Sequence, residues 1–261
     1  MKKKRIIFAL LYANKSFHLS RNFRLQKVGD INWLKKNYDF SKILLAIDEL
    51  IVMNVDRNNK DIKEFSNCIK SLSANCFIPI TAGGGIKNTN EAKLLLRSGA
   101  DKILLNTSAF NNRKLISELA RIFGSQSIII AVDTKLVDDK YVVFFNNGSL
   151  KSSYTLKKYL NDICKSEAGE IYLNSMDRDG TGQGLDFKIL KCFNSLSKPL
   201  IFSGGVGKKE HFEEGLKNKK IDAISSANLL NFVGDGLIQA RDYLLKKKID
   251  IPSWKYTFNL K

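Results

Sequence analysis

The chain has 261 residues, 44% of them hydrophobic and 26% charged, which is typical of a globular protein with a substantial core. It contains no apolar run near the roughly 18 residues of a membrane span and no secretory signal, so we expect a cytoplasmic protein without membrane contact. The net charge of +17 is spread along the chain without a nucleic-acid-binding motif. This favours a solvated lysine-rich surface, with an anionic substrate or an acidic partner as the alternative, and predicts no nucleic-acid partner.

Apolar, β-branched runs of strand length alternate with segments of helical periodicity along the whole chain. Eight strands are predicted, over residues 5–11, 49–55, 77–82, 102–106, 127–133, 170–174, 199–203 and 221–225. Helices are predicted over residues 91–97, with Asn90 as the N-cap, and over 113–123, 157–167, 187–193, 208–216 and 235–247. Strands that are apolar on both faces are typical of a parallel sheet covered by helices.

A repeat at a spacing of 121 residues divides the chain into two similar halves, in which Glu49 recurs as Glu170 and Gly84 as Gly205. Eight βα units in about 250 residues predict a (βα)₈ TIM barrel. A doubly wound open sheet is the alternative, but it does not predict a halved repeat. We therefore expect a single domain over residues 1–261, built from half-barrels of about 1–125 and 126–248.

Two long segments interrupt the alternation, residues 14–28 after the first strand and residues 141–152 after the fifth. The second segment places Asn146-Asn147-Gly148 between two strand-like runs, which predicts a β-hairpin. Both segments should lie at the C-terminal face of the barrel, where long loops form the active sites of TIM barrels.

Two glycine-rich turns follow the third and seventh predicted strands at equivalent places in the two halves. Glycine allows close approach to the backbone and leaves N–H groups free to bind an anion, although an ordinary tight turn is the alternative. Small or polar residues follow one strand later in both halves, which favours two phosphate sites and a substrate with two phosphate groups. The predicted phosphate-binding residues are Gly84, Gly85, Asn106, Thr107, Asp179, Gly180, Gly204, Gly205, Ala227 and Asn228.

Asp133 ends the fifth predicted strand, where the catalytic residues of TIM barrels lie, and the corresponding strand end of the other half is Leu11. A helix N-cap or a salt-bridged structural acid is the alternative. Neither histidine is placed to act as a base, so a carboxylate whose pKa is raised by burial is the best candidate acid–base group. We therefore predict that Asp133 is catalytic.

At the other end of the barrel, charged residues open the first, second, fourth and sixth strands. These residues are Arg5, Glu49, Lys102 and Glu170. Solvated strand ends are the alternative, but two acids and two bases at one mouth could close into a ring of ion pairs across the axis. Because such pairs add little net stability, a ring of this kind would act as a gate.

No metal site or cofactor is predicted. The only histidines, His18 and His211, have no ligand spacing around them. The four cysteines show no C-x-x-C pattern, which predicts free thiols in a reducing cytosol.

Together these features resemble the cyclase subunit of imidazole glycerol phosphate synthase, the HisF family, over essentially the whole chain. The segments that carry the resemblance are residues 4–7, 48–50, 83–86, 99–102, 106–107, 123–127, 169–170, 175–181, 203–205, 208 and 210–212. The resemblance implies a barrel that takes ammonia from a HisH-type glutaminase docked at its N-terminal face as a heterodimer, and uses the ammonia at its C-terminal face. It places Arg5, Glu49, Lys102 and Glu170 on the ammonia gate, Asp101 on the glutaminase interface and Asp133 on one of two catalytic aspartates.

The chain departs from the family at three specific positions. Leu11 stands at the other catalytic aspartate, Leu19 at the catalytic-loop lysine, and Asn54 at the acid that ends the second strand. Imidazole ring closure moves protons at two places, which one carboxylate does not obviously supply. The departures resemble a divergent branch of the family that, with a glutaminase and a separate synthetase-like protein, supplies ammonia for amidating a nucleotide-linked surface sugar.

Three functions therefore stay open. The first is an ammonia-using synthase subunit that acts on a phosphorylated substrate, with sugar amidation in surface polysaccharide (lipopolysaccharide) biosynthesis as the reaction. The second is imidazole glycerol phosphate cyclase activity in histidine biosynthesis, against which Leu11 and Leu19 argue. The third is a non-catalytic barrel that binds a phosphorylated ligand or scaffolds partners.

Overall fold

Eight parallel strands close into a barrel in the computed structural model, which describes residues 3–37, 45–74, 76–228 and 235–253. The described strands are β1 (Arg5–Ala13), β2 (Ser16–Arg21), β3 (Arg24–Gly29), β4 (Glu49–Asn54), β5 (Ile80–Gly83), β6 (Lys102–Leu105), β7 (Ile128–Val137), β8 (Lys140–Phe145), β9 (Leu150–Thr155), β10 (Glu170–Ser175), β11 (Leu200–Ser203) and β12 (Ala223–Ser226). Parallel pairing of β12 with β1 and of β10 with β7 completes the ring of β1, β4, β5, β6, β7, β10, β11 and β12. The predicted (βα)₈ TIM barrel is confirmed.

The eight predicted strands are the eight barrel strands, with ends that differ by a few residues. β7 ends at Val137 instead of residue 133, because it continues into a hairpin, and β5 begins at Ile80 instead of residue 77. Phe77 is 94% exposed and lies outside the sheet, so its apolar character did not indicate a strand position. The two halves have the same strand register at corresponding positions. Leu11 of β1 pairs with Met53 of β4, and the corresponding Asp133 of β7 pairs with Asn174 of β10. The division into half-barrels of about 1–125 and 126–248 stays a prediction.

Helices connect the strands along the outside of the barrel. In the described residues they are α1 (Ile31–Asn37), α2 (Ile62–Ser73), α3 (Thr89–Arg97), α4 (Thr107–Asn111), α5 (Arg113–Phe123), α6 (Leu156–Cys164), α7 (Lys209–Leu216) and α8 (Gly236–Lys246). The predicted helix over residues 187–193 is instead a short 3₁₀ helix, Ile189–Cys192. Asn90 is not an N-cap: α3 starts earlier, and the Asn88 side chain accepts from the Glu91 N–H at 3.0 Å.

Both long segments predicted at the C-terminal face form β-hairpins. β2 and β3 pair antiparallel and extend β1, and β8 and β9 do the same beyond β7. The turn of the second hairpin has positive φ at Asn146 and Asn147, 51° and 54°, as an Asn-Asn-Gly hairpin turn requires. The hairpin predicted over residues 141–152 is confirmed, and residues 14–28 contain a hairpin of their own.

Alternate side chains of each barrel strand fill two separate cores. On β1, Ile6, Phe8 and Leu10 pack toward the helices, whereas Ile7 and Ala9 face the barrel axis. Ile51, Ile129, Ile201 and Tyr172 join the inner set. Between the charged N-terminal mouth and the C-terminal face, the axis is therefore lined mainly by apolar side chains, together with the buried hydroxyl groups of Thr81, Ser203 and Ser225.

Three aspartates fix strand starts at the N-terminal end of the barrel. Each carboxylate accepts a backbone N–H from a neighbouring strand, at 2.7–2.9 Å, in the pairs Asp48 with Ile6, Asp101 with Ile80 and Asp222 with Leu200. Asp48 also accepts from the buried Arg241 guanidinium at 2.9 Å. These contacts hold the register on which the charged mouth depends.

Candidate active site at the C-terminal face

A cavity of about 490 Å³ opens at the C-terminal face of the barrel. The ends of five barrel strands contribute Leu11, Met53, Asn106, Asp133 and Asn174 to its wall. The tips of both hairpins contribute Phe23 and Asn147. The location agrees with the predicted active site, because the catalytic groups of TIM barrels lie where the strands end.

Asp133 lies in the wall of this cavity, held by two side-chain amides. Its Oδ2 accepts from Asn106 Nδ2 at 3.0 Å, and its Oδ1 accepts from Asn174 Nδ2 at 3.1 Å. Burial raises the pKa of Asp133 to about 6, although the hydrogen bond from Asn174 opposes the shift. A carboxylate with this pKa is ionised at neutral pH but can accept and return a proton, as general acid–base catalysis requires.

Asn174 was missed by sequence reasoning. The signal was present, because residue 174 ends the sixth predicted strand and lies next to Asp133 in the parallel register. A polar side chain at that strand end is expected to face the catalytic mouth.

On the opposite side of the mouth, the side chains are apolar or already hydrogen-bonded to the backbone. Leu11 and Met53 are neighbours in the register and both line the cavity. Asn54 accepts the Asp56 N–H on its Oδ1 at 3.1 Å, and Leu19 packs against the outer hydrophobic core. No second acid–base group stands among these four residues.

The residues of the first predicted phosphate-binding site lie together in the cavity wall. Gly84, Gly85, Asn106 and Thr107 all line it. Gly84 has φ +96°, and a Cβ at this position would come within 2.1 Å of the Asn54 carbonyl oxygen, so the turn requires glycine. Close backbone and free N–H groups at one cavity are the features of an anion site.

The residues of the second predicted phosphate-binding site do not line this cavity. They are Gly204, Gly205, Ala227 and Asn228. Gly204 and Gly205 have φ of +99° and +96°, and the Gly205 carbonyl accepts the Gly184 N–H at 2.8 Å. Residues 229–234, which follow Asn228, lie outside the described residues. The second phosphate site therefore stays a prediction.

Asp179 and Gly180 hold the first hairpin across the mouth, a role that the sequence did not predict. The Asp179 carboxylate accepts from the Ser20 hydroxyl and from the Phe23 N–H at 2.9 Å. A Cβ at Gly180 would lie 1.8 Å from the Ser20 carbonyl oxygen. Burial raises the pKa of Asp179, which offers acceptors and not the donors that a phosphate needs.

A closed ring of ion pairs crosses the N-terminal mouth, as predicted. Arg5 pairs with Glu49 and with Glu170, and Lys102 pairs with the same two acids at 3.0 and 3.6 Å. Burial works against the charged Arg5, but both glutamates outweigh it and raise the Arg5 pKa. Burial also disfavours the charge on Glu49, yet Arg5 and Lys102 lower its pKa overall. The charged forms of Arg5 and Glu49 are therefore favoured at the axis.

Asp101, the predicted interface residue, is exposed beside this ring. One of its oxygens accepts the Ile80 N–H at 2.8 Å, so it also fixes the start of β5. The other oxygen remains available to a partner at this face.

Within the described ranges, no cluster of three or more histidine, cysteine or acidic side chains could hold a metal ion. The same part of the chain contains no helix that is long and apolar enough to cross a membrane.

Comparison with known proteins agrees with this geometry. The family described as histidine biosynthesis protein matches residues 29–233. A protein of Parasynechococcus marenigrum (strain WH8102), provisionally named imidazole glycerol phosphate synthase subunit hisF2, is 41% identical over 97% of this chain and 95% of its own. Imidazole glycerol phosphate synthase subunit HisF of Clostridium botulinum (strain 657 / Type Ba4) is 38% identical over 87% of this chain and 89% of its own. The HisF subunit of Saccharolobus solfataricus (strain ATCC 35092 / DSM 1617 / JCM 11322 / P2) is 34% identical over 96% and 99%, respectively. The chain therefore belongs to the HisF family of imidazole glycerol phosphate synthase subunits.

Proposed function

We propose that this chain is an ammonia-using synthase subunit that works with a HisH-type glutaminase and acts on a phosphorylated substrate. Its reaction is sugar amidation in surface polysaccharide biosynthesis instead of imidazole ring closure. The observation that carries the proposal is a contrast between the two mouths of the barrel. The ion-pair ring at the N-terminal mouth is complete, whereas of the two equivalent strand ends at the C-terminal mouth only one carries a carboxylate, Asp133, and the other carries Leu11.

The ring supports the ammonia step. Its four partly buried charges contribute little net stability, because the cost of desolvation offsets most of their attraction. Glu49 and Glu170 each pair with both cations, so opening a path through the axis requires rearranging the ring. A docked glutaminase would provide the free energy for that rearrangement by binding the open form more tightly.

The inner core supports transport of neutral ammonia. Ile7, Ile51 and Ile129 follow the ring along the axis, and Tyr172 stands where this core meets the cavity. Neutral ammonia crosses such a lining at low cost, whereas an ammonium ion would lose its hydration. The Tyr172 hydroxyl donates to Ser203 Oγ at 2.9 Å, so a hydrogen-bonded polar group stands at the end of this path.

Asp133 supplies the proton chemistry in this proposal. Ammonia that adds to an activated carbonyl carbon opens the C=O π bond, and the cationic nitrogen loses a proton to the ionised Asp133 carboxylate. The tetrahedral adduct then re-forms the C=O bond and expels the activating group of the substrate, which takes the proton back from Asp133. Asn106 and Asn174 keep both carboxylate oxygens oriented by donating to them. Amidation needs this one base, whereas ring closure needs protons moved at a second place, where Leu11 and Met53 stand.

The names of the relatives favour a second candidate, imidazole glycerol phosphate synthase activity itself. Growth of a cyclase-deficient strain on minimal medium separates the two. We expect no growth with this chain, because loss of one of two positioned proton-transfer groups typically costs about 10²–10⁴-fold in rate. Robust growth would reject the amidation proposal and establish the second candidate.

The glutaminase partner is tested by co-purification and by stimulation of glutamine hydrolysis. We expect Asp101→Lys to abolish both, since it reverses a charge at the proposed interface. Asp101→Asn is the matched control, because its amide oxygen still accepts the Ile80 N–H. Lys87→Glu changes charge at the cavity rim on the opposite face and should leave the glutaminase unaffected. Full stimulation by the Asp101→Lys barrel would contradict the proposed docking face.

A further inference from the structure

Lys60 enters the C-terminal cavity beside the first glycine turn, between β4 and the start of α2. Its Nζ donates to Asn147 Oδ1 at 3.1 Å. Its aliphatic stem lies over Gly85, where a Cβ would be 2.8 Å from the lysine Cδ. The glycine at this position therefore makes room for the lysine as well as for the turn.

The ammonium group of Lys60 is half-buried and lacks a paired anion. In the described part of the chain it forms no salt bridge, and its hydrogen-bond acceptor is a neutral amide. Burial lowers the pKa of Lys60, against weaker opposing effects of Asp56 and Asp133. A cation held in this way loses hydration without full compensation, which a bound anion would restore.

The second hairpin connects Lys60 with the residues of the first predicted phosphate-binding site at the same wall of the cavity. The Asn146 N–H donates to Thr107 Oγ1 at 3.0 Å, and Asn147 Nδ2 donates to the Asp56 carbonyl at 3.3 Å. Asn147 thus bonds Lys60 on one side, and its neighbour bonds Thr107 on the other. The hairpin turn brings the lysine to the same wall as the glycine turn.

We propose that Lys60 binds the phosphate group of the substrate, adding a positive charge to the anion site formed by Gly84, Gly85 and Thr107. The inference rests on the proposed function, in that it takes the substrate to be phosphorylated. Arg57 and Lys87 are the other cations in the described cavity wall. Arg57 and Lys87 are both exposed, so solvent screens their charges, whereas Lys60 is half-buried. Lys60 is therefore the cation placed to specify an anionic group at this site.

The test is calorimetric titration of the purified chain with inorganic phosphate at fixed ionic strength. We expect Lys60→Met to weaken phosphate binding about tenfold or more, as loss of a charge-assisted hydrogen bond does, and Lys60→Arg to retain most of it. Lys87→Met is the matched control and should bind within about twofold of the parent chain, because a rim charge is screened. Circular dichroism of each variant confirms that the loss is local.

Two outcomes would overturn the inference in distinguishable ways. Phosphate binding that is lost in Thr107→Ala but kept in Lys60→Met would remove Lys60 from the site and leave the phosphorylated substrate in place. Absence of phosphate binding by the parent chain would reject both Lys60 and the phosphate site. The glutaminase experiments would then still decide the ammonia step independently.

Discussion

Replacing Asp133 with asparagine should stabilise the protein at neutral pH, and increasingly so as the pH rises. In the folded state the pKa of Asp133 is about 6, against an ordinary value of 3.8. The folded protein therefore binds more protons than the unfolded chain between these values. Stability from this group is fully present below pH 3.8 and is lost as the pH rises through 6.

The size of the effect follows from the two pKa values. A difference of about 2 units corresponds to about 3 kcal/mol of destabilisation by the charged form once the pH is well above 6. Linkage gives about half of this at pH 5, so the other half develops between pH 5 and pH 8. An asparagine keeps one of the two amide hydrogen bonds and loses the other, which costs about 1 kcal/mol at every pH. The net gain should be about 2 kcal/mol at pH 8 and less than about 1 kcal/mol at pH 5.

Urea unfolding of the parent chain and of Asp133→Asn at pH 5, 6, 7 and 8 measures this difference directly. Asp56→Asn is the control, because the pKa of Asp56 is shifted in the opposite direction. Burial disfavours the Asp56 charge, but N–H groups of Asn58, Asn59 and Asn14 outweigh it and lower the pKa. Asp56→Asn should therefore destabilise by the same amount at pH 5 and pH 8. A pH-independent effect of Asp133→Asn would refute the assignment of a raised pKa and, with it, the acid–base role.

Three further predictions concern local structure. Asn88→Ala should cost about 1 kcal/mol of unfolding free energy in urea and Asn90→Ala much less, because only Asn88 caps α3; equal costs would contradict the assigned cap. Gly180→Ala should release the first hairpin, because the added Cβ would lie 1.8 Å from the Ser20 carbonyl oxygen. Limited proteolysis should then cut within residues 14–28, and unchanged protection would show that other contacts hold the hairpin. Arg241→Met removes one partner of a buried ion pair and should cost about 3–5 kcal/mol in the same urea assay; a loss below 1 kcal/mol would mean that the remaining aspartate is solvated.

The barrel and its charged mouth were predictable because they depend on local patterns. Apolar runs of strand length mark strands covered on both sides, and eight of them in regular alternation leave few architectures. Arg5, Glu49, Lys102 and Glu170 open their strands, and parallel strands that close into a barrel bring those starts to one end. The ring of ion pairs follows from closure alone.

The arrangement of the cavity wall was not predictable in the same way, because it depends on where loops fold back. Asp179 holds the first hairpin through contacts that span more than 150 residues of sequence, and nothing local to Asp179-Gly180 distinguishes this role from anion binding. Lys60 follows a strand by six residues and carries no motif. Its place in the cavity depends on Asn147, in a hairpin 87 residues later.

The two strand-end pairs explain why the altered mouth is not restored by one substitution. Asp133 is supported by its register neighbour Asn174, which donates at 3.1 Å, whereas Leu11 has Met53 as its neighbour. Leu11 is 7% exposed, so Leu11→Asp buries a carboxylate without a donor and should cost about 3 kcal/mol or more at pH 8. Adding Met53→Asn supplies an amide, and a double-mutant cycle in urea should show a favourable coupling of about 1 kcal/mol. The single Leu11→Asp variant should not support growth of the cyclase-deficient strain. Strict additivity of the two substitutions would show that residues 11 and 53 do not reproduce the geometry of Asp133 and Asn174.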